Sequence, residues 1–458
     1  MLNWLNNRCV YLIKVGLLVM PIGLFSGLSQ ASMLSEAITE VLKSHPKILQ
    51  KQYESDLLDA KISGLRADYL PTVDLLVAAG TEQIRKSDAP SNGLLPRGDI
   101  SVVVAQNIYD GHSTDYKIER LNRKRMEVHY HLQAISSDVA LRLAELYIDR
   151  LRHKATIDYQ TNLVGAHKDL RQKIAFRVDQ GISNEVDLAD VDLRLIEAEV
   201  SLAAAQANYA DSKSQYLAFI GASTDNLEEP EFSYGLELEG YFSLIDPFSG
   251  KVEPYRAVPL DLTISELIDI SQANHPVLNA NKYNVEAHRL NLDIESALEV
   301  PVINFELVAG WGHNSAGDIG NKQHLSAMLN LKYNIFNGDK RAYKKLELSS
   351  SLETAKQQYI DKSREVEDSL RLSWQALNLH KKLEKIMEQR VLTAQSYKDK
   401  AKLQLKLGKI ELQDMLDVET KLVNAQIDLL SAKHDYIYSY YRVLHSLGYI
   451  LSHFGLQV

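Results

Sequence analysis

The chain is poor in several things that usually announce a function. Its only cysteine is Cys9. After Leu34 no stretch approaches the roughly 18 consecutive apolar residues that a membrane-crossing helix needs. There is no surplus of positive charge: 51 Lys and Arg stand against 60 Asp and Glu, a formal charge of −9. Phenylalanine is sparse at 9, while tyrosine reaches 23. No HExxH, GxSxG or Walker A pattern occurs, so zincin chemistry, a nucleophile elbow and a phosphate loop all lack their carriers. The acidic balance argues against nucleic acid as a partner. No catalytic residue, metal site or cofactor is expected.

The first residues read as a leader. Arg8 and Lys14 precede the apolar run VGLLVMPIGLF, and SGLSQA follows, with Ser29 and Ala31 at the small-residue positions before a cut. That is the pattern of a secretory signal peptide spanning 1–31. Removing it takes away two bases and no acid, so the charge moves from −9 to −11. Cys9 leaves with it, so disulfides, thiolate metal sites and an acylated N-terminal cysteine are not expected in the mature chain. With no later apolar helix, integral contact with a membrane would have to be made by a β-barrel.

What the chain does have is a copy of itself. AITEVLKSHPKIL (37–49) resembles ELIDISQANHPVL (266–278), and Pro71 corresponds to Pro301, both at an offset of 230. QNIYDG (106–111) matches YNIFNG (333–338), Gly181 matches Gly408 and Gly221 matches Gly448, at an offset of 227. The three lost residues fall in a turn-rich interval, where length changes are best tolerated.

On either side of that interval the sequence alternates. Ile303, Phe305, Leu307, Ala309 and Trp311 fall on one side of a strand, and Asn304, Glu306 and Gly310 on the other. Leu325 to Tyr333 alternates in the same way, with Lys332 on the polar side. This period of two predicts strands at about 302–312 and 324–334, with weaker counterparts at about 72–83 and 99–108. Each has the length that crosses a bilayer when tilted.

The remainder reads as helix. From about 111 to 180, and again from 338 to 407, proline is absent and apolar residues recur every seven, as at Leu121, Val128 and Ile135. Such a helix is a rod of roughly 105 Å. Shorter helices are expected at about 184–220 and 411–447. The helix from Pro46 to near Tyr69, stacked end to end with one of these, would nearly match the rod. His45 and His275 read as helix-start residues, each followed by a proline suited to the first turn. The tyrosines in HDYIYSYYRVLHSLG read as helix packing.

Two short acidic stretches interrupt the helices: DQGISNEVDLADV (179–191) and KLGKIELQDMLDV (406–418). Gly181 and Gly408 suit a left-handed helix end, Ser183 or Asn184 can cap the next helix, and Asp187 and Asp414 favour its first turn. Asp187 and Asp190 share a face, as do Asp414 and Asp417.

Four strands per chain cannot close a membrane barrel, so the chain must oligomerise to hide its strand edges. The physics alone leaves dimer and trimer open. The doubled order of HP helix starts, QNIYDG and YNIFNG, paired G…D..DV turns, and alanine-rich helices ending in FIG and SLG resembles the TolC family of outer-membrane channels. The resemblance implies a mainly α protein with membrane β: a homotrimer whose twelve-stranded β-barrel, four strands per chain, continues into a twelve-helix α-barrel. It implies contact with outer-membrane lipid, a periplasmic tunnel in a Gram-negative cell, a periplasmic adaptor, and an inner-membrane ABC or proton-driven pump. The chain then divides into a signal peptide (1–31), a first repeat (32–221), an inter-repeat equatorial segment (222–262), a second repeat (263–448) and a C-terminal tail (449–458). Asp414 and Asp417 are expected to ring the periplasmic mouth. Gly181, Asp187, Asp190, Gly408 and Lys409 support the tip turns, and Glu306 and Lys332 face the barrel lumen. At the positions of the family's polar tip latch stand Leu405 and Ile410, so Lys406 or Lys409 is the candidate partner for Asp187. The expected cargo is protein, as in type I secretion. The alternatives are small-molecule or metal-ion efflux, or a secreted coiled-coil scaffold with no pore.

Overall fold

A computed structural model describes residues 31–83, 94–221, 262–315 and 319–456. All of the expected signal peptide but Ala31, and nearly all of the inter-repeat segment, lie outside them. Within them the order is α1 (Ala31–Ser44), α2 (Pro46–Ala67), β1 (Thr72–Glu82), β2 (Leu95–Tyr109), α3 (Ser113–Asp179) and α4 (Glu185–Ile220). The second half follows with α5 (Ile264–Asn274), α6 (Pro276–Ala297), β3 (Val302–His313), β4 (Asn321–Lys332), α7 (Lys340–Lys406), α8 (Asp414–Ser446) and α9 (Ile450–His453).

The four strands form one antiparallel sheet in chain order, leaving β1 and β4 as open edges. Alternation decides its faces. Leu75, Val102, Ala309 and Leu325 lie opposite one another in register, and so do Val73, Val104, Leu307 and Ala327, which makes one face apolar. The other carries Asp74, Asp99, Ser326, Glu306 and Lys332. The apolar face is bare within the chain: Leu75 is 64% and Leu329 70% exposed.

The strand limits depart from the alternation in an informative way. β2 starts at Leu95, ahead of 99, and runs to Tyr109, with a bulge between Asn107 and Tyr109. β4 starts at Asn321 and stops at Lys332, short of 334. β2 has a partner on each side; β4 has one, so its last residues have nothing to pair with and leave the sheet.

α3 and α7 are 67 residues each, rods of about 100 Å. The shorter helices stack end to end beside them. The His45 ring, at the start of α2, meets Phe219 near the end of α4 at 5.8 Å. In the second half His275 meets His445 at 6.4 Å, and Gly448 abuts Asn274 and Pro276. These joints sit in the largest apolar cluster, built from Leu143, Leu370, Leu377 and Leu444 with Leu34, Leu267 and Ile450. The helices α1, α5 and α9 were not separated by the sequence pattern. They are short, and they form because their apolar faces close this waist; the Ser35 hydroxyl donates to the Phe454 carbonyl at 3.0 Å.

The waist holds buried histidines. Burial, and then the neighbouring His445, push His275 down to about 4, partly opposed by Asp138. His434, buried and near Arg152 and His153, is also held at about 4, as is the buried His453. His275 Nδ1 accepts from the Val277 amide at 3.3 Å, which requires that nitrogen to be unprotonated. An unfolded histidine titrates near 6.5, so between pH 6.5 and 4 the unfolded chain binds more protons. Stability is therefore full above pH 6.5 and falls as pH drops towards 4, by on the order of 1 kcal/mol per pH unit for each such histidine. Denaturant midpoints of the detergent-solubilised protein should be clearly lower at pH 5 than at pH 7.5, and a His434→Gln variant should show a shallower slope.

Candidate functional site: the paired helical turns

The two acidic stretches lie at the far end of the rods from the sheet, where α3 turns into α4 and α7 into α8. Gly181 has φ 70° and Gly408 φ 69°. In each turn the glycine amide and the one after it close back on the helix: Ile182 onto the Arg177 carbonyl at 2.8 Å, Lys409 onto the Gln404 carbonyl at 3.0 Å. Only a residue that tolerates a left-handed backbone ends both helices this way.

The next helices start differently. The Asn184 side chain accepts from the Asp187 amide at 2.9 Å, and the Asp187 carboxylate accepts from the Asn184 amide at 3.1 Å, a reciprocal cap. Of the two candidate caps, Ser183 and Asn184, it is Asn184 that serves. In the second turn Glu411 stands where Asn184 does. Asp414 still accepts from the Glu411 amide, at 2.8 Å, but no side chain caps in return, and α8 begins at Asp414, later than the expected 411. Asn184→Ala should therefore cost about 1 kcal/mol, seen as a lower melting temperature by circular dichroism, while Glu411→Ala should cost much less.

The structure separates the four aspartates by their partners. Asp187 and Asp414 are turned back onto their own helix starts. Asp190 accepts from Arg194 Nε at 2.9 Å, one turn along α4. Asp417, on α8, is bonded to Nη1 of the same arginine. Arg194 thus holds an acid of each hairpin; burial opposes its charge, but the bonds to Asp417 and Asp190 outweigh it and raise its pKa. Sequence reading missed it: Arg194 and Asp417 are 223 positions apart, and one arginine on a helix has no periodic signature. Its one visible mark is the spacing of four from Asp190.

The hairpins are laced in the same register. Arg171 donates to Asp192 at 2.5 Å between α3 and α4, and Lys398 to Glu419 at 2.6 Å between α7 and α8. Beneath them Leu170, Ile174, Val191, Met415, Leu416 and Val418 form a small core. Leu405 and Ile410 pack against it, so the two positions at which the family carries a polar latch make apolar contacts here. Among the described residues neither Lys406 nor Lys409 pairs with Asp187. The buried His167, whose pKa burial lowers, lies between hairpins near Thr420 and the Arg194 carbonyl. At the other end of the molecule, Asn330 donates to Glu306 at 3.4 Å on the polar face of the sheet, where Lys332 also lies.

Among the described residues no group of three or more His, Cys, Asp or Glu could hold a metal, and no helix is long and apolar enough to cross a membrane. A sheet of bilayer-length strands, apolar on one face and open at both edges, running into rods of about 100 Å, is the protomer of an outer-membrane channel. The family model described as outer membrane efflux protein matches residues 37–222 and 267–448, and the chain belongs to that family. It is 20% identical over 456 residues to the outer membrane efflux protein BepC of Brucella suis, covering 99% of this chain and 93% of that protein. It is likewise 20% identical to the outer membrane protein TolC of Vibrio cholerae, covering 93% of each. Solved structures share the fold: CusC at TM-score 0.74 and 11% identity, over 91% of this chain and 92% of that one, and VceC of Vibrio cholerae at 0.72 and 14%, over 91% and 96%. The family comprises Gram-negative outer-membrane channels with a periplasmic helical tunnel, not enzymes, and the expectation of a poreless scaffold is set aside.

Proposed function

We propose that three copies of the chain close a twelve-stranded barrel in the outer membrane and a twelve-helix tunnel beneath it, each copy supplying the repeats 32–221 and 263–448. The single observation that carries this is the sheet with two unpaired edges, which lipid cannot tolerate and which only further strands can satisfy. The apolar face then meets lipid, and Glu306 and Lys332 face the lumen. The tip is the end that meets a periplasmic adaptor and, through it, an inner-membrane ABC or proton-driven pump, which supplies the energy.

Asp414 and Asp417 are the gate acids of this reading, with Asp187 and Asp190 as their supports. Within the chain Asp414 is engaged by the Glu411 amide and Asp417 by Arg194. Opening would therefore begin with release of Arg194, after which the Asp417 carboxylates would present a cation-favouring ring.

Protein delivered by a type I route is the cargo reading we favour, on the resemblance of the doubled sequence order to the TolC family. Small-molecule or metal-ion efflux is the second reading, favoured by the efflux protein BepC among the relatives. Purified protein in a planar bilayer should give discrete, cation-selective steps; an absence of any current from detergent-purified oligomer would sink the channel reading. Deleting the gene and assaying both the secreted proteins and sensitivity to dyes and metals separates the cargoes.

A further inference from the structure

Each repeat passes from sheet to rod through a short turn, and the two turns differ in chemistry. In the first, Asp110 precedes Gly111; in the second, Asn337 precedes Gly338, at the offset of 227. The Asp110 carboxylate is in use. Its Oδ2 accepts from the Thr114 amide at 2.8 Å and from the Thr114 hydroxyl at 2.6 Å, which caps the first turn of α3. Arg341 stands where Thr114 does, and its amide lies in the first turn of α7, which no side chain caps. Among the described residues the Asn337 side chain makes no hydrogen bond.

The two glycines differ in their surroundings as well. A Cβ at Gly111 would overlap Val300 and press on the Ala297 carbonyl, so packing from the second repeat holds that turn still. At Gly338 nothing lies within 4 Å. Residues 333–339 belong to no helix or strand, since β4 ends at Lys332 and α7 begins at Lys340. Among the described residues the Gly338 amide donates to no backbone carbonyl. An asparagine followed by an unhindered glycine on free backbone can react with its own main chain. The missing Cβ is what lets the glycine nitrogen approach the side-chain carbonyl carbon.

We propose that Asn337 is a site of spontaneous deamidation, and that its aspartate product gives α7 the cap that α3 already has. The Gly338 nitrogen attacks the Asn337 side-chain carbonyl carbon and closes a succinimide ring. The side-chain nitrogen leaves as ammonia, taking the proton that the Gly338 nitrogen gives up. Water then opens the ring. Cleavage of the new bond leaves aspartate; cleavage of the original peptide bond leaves isoaspartate, with the chain running through the former side chain. No oxidant or cofactor is consumed. Either product adds a negative charge beside Lys340, Arg341 and Lys344, at a helix N-terminus that favours it. With aspartate the second turn becomes a chemical copy of the first. With isoaspartate the main chain gains an atom and the turn is displaced.

The test holds purified, detergent-solubilised protein at pH 8.5 and at pH 6, then digests it with trypsin, which releases residues 333–340 as one peptide. That peptide should exchange NH2 for OH, several-fold faster at pH 8.5, because the attacking nitrogen must lose its proton. Fragmentation should place the change at Asn337 rather than Asn334, and an isoaspartate-specific methyltransferase should label it. Asp110 and Gly111 can form the same ring, and should stay unlabelled in the folded protein because that glycine is wedged. Freshly prepared Asn337→Asp should melt above wild type, and Asp110→Asn below it. An unchanged peptide, a change at Asn334, equal labelling at Asp110, or a change seen only after unfolding in urea overturns the site. Asn337→Asp melting at or below wild type overturns the cap.

Discussion

Arg194→Glu should raise the resting ion current of the assembled channel by roughly 5- to 30-fold and increase its preference for cations. Among the described residues Arg194 is the one side chain that touches both helical hairpins of the tip through acids, Asp190 on its own helix and Asp417 on the other. These side chains are a third to a half exposed, at 32%, 41% and 53%, so each ion pair is worth only about 1 kcal/mol or less. The charge reversal removes two such pairs and sets a third acid between two others. The combined change of about 1–2 kcal/mol corresponds to that range in the ratio of closed to open forms. Single-channel recording at low and high salt is the measurement. Screening should shrink the difference between variant and wild type as salt rises. Arg194→Lys, which keeps the charge but loses the forked donor, should fall between them. A variant current equal to wild type at low salt would remove Arg194 from the gate.

Gly111→Ala should prevent the protein from reaching its folded, membrane-inserted form. Gly111 has φ 71°, and His112 after it has φ 66°, so the chain makes two successive left-handed steps as β2 passes into α3. The backbone conformation alone costs an alanine about 1 kcal/mol or more. The larger effect is steric. The new methyl would overlap Val300, and it would press on the Ala297 carbonyl, which is backbone at the end of α6 and has nowhere to go. Relief requires α6 to move off α3, and those two helices form most of the contact between repeats below the sheet. A loss of several kcal/mol is expected, a large part of a typical folding stability. The fraction of protein recovered as detergent-soluble, heat-resistant oligomer measures it. Gly338→Ala carries the same strain but meets no atom of its own chain, so its isolated protomer should be far less affected.

Much of the architecture was legible because it is written twice. The alternation around Glu306 and Lys332 correctly divided a polar from an apolar strand face, and the absence of proline between 113 and 179 marked a helix longer than a globular domain uses. Gly181 and Gly408 announced the turns. The details that escaped have a common cause: they depend on groups brought together from distant parts of the chain. β4 stops at Lys332 because of a partner it lacks, which no property of residues 333 and 334 reveals. α9, in what reads as a tail, is a helix because Leu34 and Tyr441 build a pocket for Ile450 and Phe454. At the tip, the acids stand out by type, yet two of them, Asp190 and Asp417, are held by Arg194, whose sequence neighbourhood resembles any exposed turn of helix. Leu405 and Ile410 stand at the positions of the family's polar latch, and what they do in place, packing on the core under the turns, depends on Leu170, Val191 and Leu416 from three other helices.

The open edges of the sheet have a further consequence, for the chain's journey. A protomer newly delivered to the periplasm carries two ready templates for strand addition beside a surface of bare Val, Leu and Ile. Until its neighbours arrive, it is as prepared to pair with the wrong strand as with the right one. With the sheet closed by further copies, as proposed above, assembly becomes a race between closure and aggregation, and only closure ends with no edge left to grow. Output should therefore saturate and then decline as synthesis rises, so that making the protein slowly yields more channels than making it fast.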